Sequence, residues 1–83
     1  MKLSLGDMVQ LIPSHKGYVN MYEEDDLDRI ENGERFYQDD IGLVLESQGN
    51  GEYIHFKVLT PRGAVGWIHN FHLELVELNI HLG

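Results

Sequence analysis

Cysteine is absent from the 83 residues, so neither disulfides nor thiolate metal sites can hold this chain together. Proline occurs twice, tryptophan once, and lysine and arginine together only six times, against 14 aspartates and glutamates. That shortage of cations excludes the basic surface that binding to a phosphate backbone demands, so no nucleic acid is expected as a partner. No apolar run approaches the ~20 residues that span a bilayer, and the opening residues lack the roughly 7–15-residue apolar stretch of a signal peptide. The expectation is a protein that does not enter membranes and works in the cytoplasm. A chain of this length supports one domain, residues 1–83, and buries roughly 60–65% of the surface that it exposes when unfolded.

The chemistry of catalysis is equally thin. The three serines, Ser4, Ser14 and Ser47, have no histidine and acid arranged beside them, and no glycine-rich phosphate loop occurs. Carboxylates are plentiful, but acid–base work needs one of them held in a desolvated cleft, which a charged loop does not provide. A protein without enzymatic activity and without a cofactor is therefore expected.

What the chain does have is acid, concentrated in one place. Nine acidic residues lie between Glu23 and Asp40, facing only Arg29 and Arg35, while the remainder carries five acids and four bases. The net charge of −8 is thus that of a nearly neutral domain with one acidic segment. Such a segment favours basic protein partners.

Local patterns point to strands. Residues 8–12 read as a first strand closed by Pro13, and residues 41–47 as a second, followed by the turn Gly49-Asn50-Gly51. From Tyr53 to Leu59 the residues Ile54, Phe56 and Val58 alternate with Tyr53, His55 and Lys57, the pattern of a half-buried strand. A turn at Thr60-Pro61-Arg62-Gly63 leads to a strand over residues 64–68, then a 3₁₀ turn at His69-Asn70-Phe71 and a closing strand from Leu73. Residues 14–40 read as an acidic insertion between the first two strands. Within it, residues 23–32 have the acidic first turn of a short helix, with Gly33 as its terminator. The expected fold is all-β, a barrel of five to six strands.

The run Gly66-Trp67-Ile68-His69-Asn70-Phe71-His72-Leu73-Glu74-Leu75 resembles the end of an SH3-like barrel, where a glycine–tryptophan strand, a one-turn helix and a closing strand follow one another. Ile41-Gly42-Leu43-Val44-Leu45-Glu46 is similar to the glycine-plus-valine strand of KOW-type barrels, and Gly6-Asp7-Met8-Val9 to their opening. Together these segments, a little over half of the chain, resemble the small SH3-like proteins common among tailed bacteriophages and bacteria. The resemblance implies an SH3-like barrel and an accessory or structural role in a larger assembly such as a phage virion.

Three groups of residues are candidates for function. The aromatics Tyr18, Tyr22, Phe36 and Tyr37, with the acids Asp25, Asp26 and Asp28, could form a docking face of aromatic anchors and charged rim for another protein. The alternative use of those acids is to mimic nucleic acid and occupy a basic groove on a host protein. The apolar residues Val76, Leu78, Ile80 and Leu82 slip out of phase with Leu73 and Leu75, so a C-terminal extension over residues 78–83 could leave the barrel and pair with a sheet edge of a second copy. His69 and His72 with Glu74 offer two metal ligands without a dependable third, and Asp26 and Asp28 begin a calcium loop that Ile30 and Glu31 break, so no metal is expected. Trp67 and Phe71 are expected to complete a small core.

Overall fold

In this computed structural model, residues 3–13, 17–23, 30–50 and 52–76 are described. Seven strands follow in chain order: β1 (Met8–Leu11), β2 (Tyr18–Tyr22), β3 (Glu31–Tyr37), β4 (Gly42–Asn50), β5 (Tyr53–Leu59), β6 (Val65–His69) and β7 (Leu73–Leu75), with a 3₁₀ turn at Asn70–His72 between the last two. They form one sheet in the order β3-β2-β6-β5-β4-β1-β7, and every neighbouring pair is antiparallel. The sheet curls into a half-barrel, so the chain is all-β as its alternation implied. No helix among the described residues is long and apolar enough to cross a membrane.

The core lines the inner face of the curl. Period-two alternation sends Val9 and Leu11 of β1, Met21 of β2, Phe36 of β3, Val44 of β4, Phe56 and Val58 of β5 and Ile68 of β6 to that face, with Leu3 and Leu73 added from the ends. Two glycines let the sheet close tightly over these side chains. A Cβ on Gly42 would overlap Val58 and approach the Phe36 ring, and one on Gly66 would run into Met21.

The turns follow local chemistry. At the β5–β6 turn the Thr60 backbone donates to the Ala64 carbonyl, Gly63 donates back to Thr60, and the Thr60 Oγ1 accepts from the Arg62 and Ala64 amides. Gly63 supplies the positive φ of 83° that closes it.

The segment 14–40 departs from the expectation. Its described residues hold β2 and β3, which pair as a hairpin and raise the strand count from five or six to seven, while residues 24–29, the middle of the expected helix, lie outside the described residues. Glu31 and Asn32, expected at the end of a helix, open β3. Tertiary pairing decides the described part: Val19, Met21 and Phe36 alternate inward, and burying them draws Glu31 and Asn32 into a strand. Gly33 does adopt a positive φ, 82°, but in a bulge. There β3 runs from Glu31 to Arg35 while β2 runs only from Tyr22 to Asn20. Asn32 stabilises the bulge, accepting from the Glu34 amide at 2.9 Å and donating from Nδ2 to the Val65 carbonyl at 2.8 Å.

At the other edge β7 pairs with β1, and the Val76 amide still donates to the Met8 carbonyl at 2.9 Å. Val76 therefore stays with the sheet at the point where the apolar phase slips.

Candidate functional site

The outward face of the β2–β3 hairpin carries the densest set of interaction-prone side chains. Alternation fixes which residues reach it: with Val19 and Phe36 opposite one another and turned inward, Tyr18 and Tyr37 are opposite one another and turned outward, as are Asn20 and Arg35. The two tyrosine rings lie 5.9 Å apart at a tilt of 58°, and remain 42% and 40% exposed. Arg35 lies diagonally across the pair with its guanidinium carbon 4.2 Å from the Tyr18 ring centroid. From the β5–β6 turn, Arg62 lays its guanidinium 4.8 Å from the centre of the Tyr37 ring. The face is therefore a row of alternating cation and ring: Arg35, Tyr18, Tyr37, Arg62.

Asp40 holds the far end of this row in place. Its carboxylate accepts two hydrogen bonds from Arg62, at 2.7 and 2.6 Å, and a third from the Tyr37 amide at 2.9 Å. The Arg62 Nη2 also donates to the Arg35 carbonyl at 3.0 Å, so a single guanidinium ties the β5–β6 turn to β3. The Arg62 hydrogen bonds hold the Asp40 carboxyl below the usual carboxylate range; desolvation opposes this, and the Tyr37 amide and the Arg62 charge add to it.

A carboxyl with a depressed folded-state pKa contributes stability above its unfolded value, and that contribution disappears as pH falls through the folded value. Asp40→Asn keeps an acceptor for Tyr37 but removes the charge. The variant is expected to lose about 1 kcal/mol at neutral pH, a modest figure because Arg62 is half in water. Urea melts taken from neutral pH downward should show the gap between the two proteins beginning to close near about pH 4, the ordinary aspartate value, and vanishing only as pH falls through the lower folded value of Asp40, where the wild-type carboxylate is protonated too. A constant gap across that range would mean that the Asp40 charge is not what stabilises the corner.

Of the residues singled out in the sequence, Tyr18 and Tyr37 are brought together. Tyr22 sits on the same strand, half-buried, with Trp67 as its cross-strand partner on β6. Phe36 is a correction: it is fully buried in the core and is not available as a surface anchor, because it precedes Tyr37 by one residue and so faces the opposite side of the sheet. Asp25, Asp26 and Asp28, and likewise Leu78, Ile80 and Leu82, lie outside the described residues, and Val76 is half-buried beside β1. Arg35 and Arg62 were not anticipated. Arg35 could have been, since it precedes Tyr37 by two and must share its face. Arg62 comes from a distant turn and had no local signal.

A second cluster of rings surrounds the 3₁₀ turn. His55 and His69 are cross-strand partners whose rings meet edge to face at 4.0 Å, Phe71 stacks on His69 at 5.2 Å, and His72 and Tyr53 close against Phe71 at 5.9 and 6.4 Å. Trp67 is buried as expected, but Phe71 is 52% exposed and belongs to this surface cluster instead of the core. His55 is half-buried beside His69. Among the described residues no group of three histidine, aspartate or glutamate side chains is placed to hold a metal ion.

Comparison of the chain with protein-family models, with curated proteins and with solved structures finds no match.

Proposed function

We propose that this chain is a non-enzymatic protein–protein interaction module on an SH3-like barrel, acting as an accessory or structural component of a larger assembly such as a phage virion. The observation that carries the binding reading is the Arg35–Tyr18–Tyr37–Arg62 row. Tyrosine and arginine are the residue types that most often dominate the energy of an interface, because they present large contact area together with hydrogen-bonding groups. Here the rings are stacked against guanidiniums and one end of the row is held by Asp40, so little side-chain freedom remains to be lost when a partner lands. The SH3-like reading is supported by the strand order β7-β1-β4-β5-β6, by the 3₁₀ turn between β6 and β7, and by the long connection after β1 that carries the β2–β3 hairpin.

The test is a selection of displayed peptides on the wild-type protein, followed by affinity measurement against a Tyr18→Ser, Tyr37→Ser double variant. Both side chains are already partly in water, so the variant should keep the wild-type circular dichroism spectrum. Loss of a hot spot costs about 2 kcal/mol or more, so selected peptides should bind the variant at least about 30-fold more weakly. Peptides that bind both proteins equally would remove this face from consideration.

A further inference from the structure

The sheet carries a second unusual feature on its outer side. The registers place Met8 of β1 opposite Leu43 of β4, Leu43 opposite Leu59 of β5, and Leu59 opposite Val65 of β6. Residues in cross-strand register share a face, so an unbroken apolar row crosses four adjacent strands, three inter-strand spacings or roughly 14 Å. The row is not part of the core: the next residues along the strands, Val9, Val44 and Val58, turn inward, and none of the four packs against the core cluster. Met8 is 38% exposed and the other three are half-buried; Ile41, two residues before Leu43, is 42% exposed. No charged side chain interrupts the row, although the chain is rich in acid. Contiguous exposed apolar surface on a small domain marks a contact.

We propose that this row is the surface through which two copies of the chain pair, face to face about a twofold axis. The charges at its border select a second copy over other occupants. Two residues before Leu59 on β5, Lys57 forms an ion pair with Glu46 of β4 at 3.5 Å, both still partly exposed. One positive and one negative charge side by side at the edge of an apolar row are self-complementary. A twofold rotation sets the Lys57 of each copy near the Glu46 of the other. A basic partner would instead be drawn to the acids between Glu23 and Asp40, away from a row flanked by the balanced Lys57–Glu46 pair. This contact is separate from the Tyr18–Tyr37 face and stands or falls independently of it.

The experiment is light scattering or sedimentation of the full chain from about 1 µM to about 1 mM, with three variants. Wild-type mass is expected to rise from monomer to dimer with concentration. Leu59→Lys should raise the dissociation constant by at least about 30-fold, the effect of losing a central contact. The other two variants separate this from damage to the fold, since they alter only exposed ends of side chains. Lys57→Glu alone and Glu46→Lys alone each set like charges across the axis and should weaken self-association, whereas an equimolar mixture of the two should restore a dimer containing one copy of each. A wild-type protein that stays monomeric throughout would overturn the proposal. So would a dimer indifferent to Leu59→Lys, or a mixture of the two charge variants that associates no better than either alone.

Discussion

Phe36→Ala is expected to cost about 3–5 kcal/mol of folding stability, a large share of the roughly 5–15 kcal/mol that holds a domain of ordinary stability together. Phe36 is fully buried in the same core cluster as Met21, Val44, Phe56 and Val58, and its backbone pairs with Val19. It is the only buried apolar side chain that β3 contributes, so it is the apolar anchor of β3, beside Met21 and Val19 of β2. Truncation leaves a cavity that the surrounding strands, hydrogen-bonded to their neighbours, can collapse into only in part. For a domain of this size a loss of about 3 kcal/mol lowers the melting temperature by roughly 12–24 °C. Urea titration adds a second readout: an unchanged m-value with a lower midpoint describes a hairpin that stays docked over a cavity, and a lower m-value one that has come away from the barrel. A loss below about 1 kcal/mol would show that the hairpin is held by something other than Phe36.

The same residue shows where sequence reasoning succeeded and where it stopped. On β5 the alternation of Ile54, Phe56 and Val58 with Tyr53, His55 and Lys57 identified both the strand and its core face, because a strand buried on one side writes that burial into a period of two. The β5–β6 turn was legible from Thr60-Pro61-Arg62-Gly63, whose residues each have a local reason to be there. The hairpin was not. Tyr18-Val19-Asn20-Met21-Tyr22 alternates, but its outward tyrosines are large and partly apolar like its inward residues, which flattens the contrast on which the pattern depends. In β3 the bulge at Asn32, Gly33 and Glu34 breaks the period, and only Phe36 is apolar and buried. Half of the candidate site was therefore readable: the tyrosines were found by type and Phe36 was placed on the wrong face. Arg35 shares the face of Tyr37 by its spacing of two, but its contact with Tyr18 depends on pairing between β2 and β3, and Arg62 arrives on a turn from a distant part of the chain. No local pattern encodes a contact of that kind.

Gly42→Val is expected to be as damaging as the loss of Phe36, for the opposite reason. Gly42 opens β4 on the core face, paired with Val9, where a Cβ would overlap the Val58 side chain and lie 2.6 Å from the Phe36 Cε2 and 3.1 Å from its Cζ. Valine suits a strand, but intrinsic preference spans only about 1 kcal/mol and acts on a backbone that is already extended. Packing decides the outcome. The added isopropyl group meets a ring and a β-branched side chain, neither of which can swing aside within a core of this density, and the expected loss reaches or exceeds the ~3 kcal/mol upper end of ordinary overpacking. The two changes should also compensate. Phe36→Ala vacates part of the space that a valine side chain at position 42 needs, so the double variant is expected to be more stable than the sum of the two losses implies, by about 1–2 kcal/mol in a double-mutant cycle. Strict additivity would mean that the clash with Val58 alone keeps a side chain out of position 42, and that the Phe36 ring closes over the glycine without depending on it.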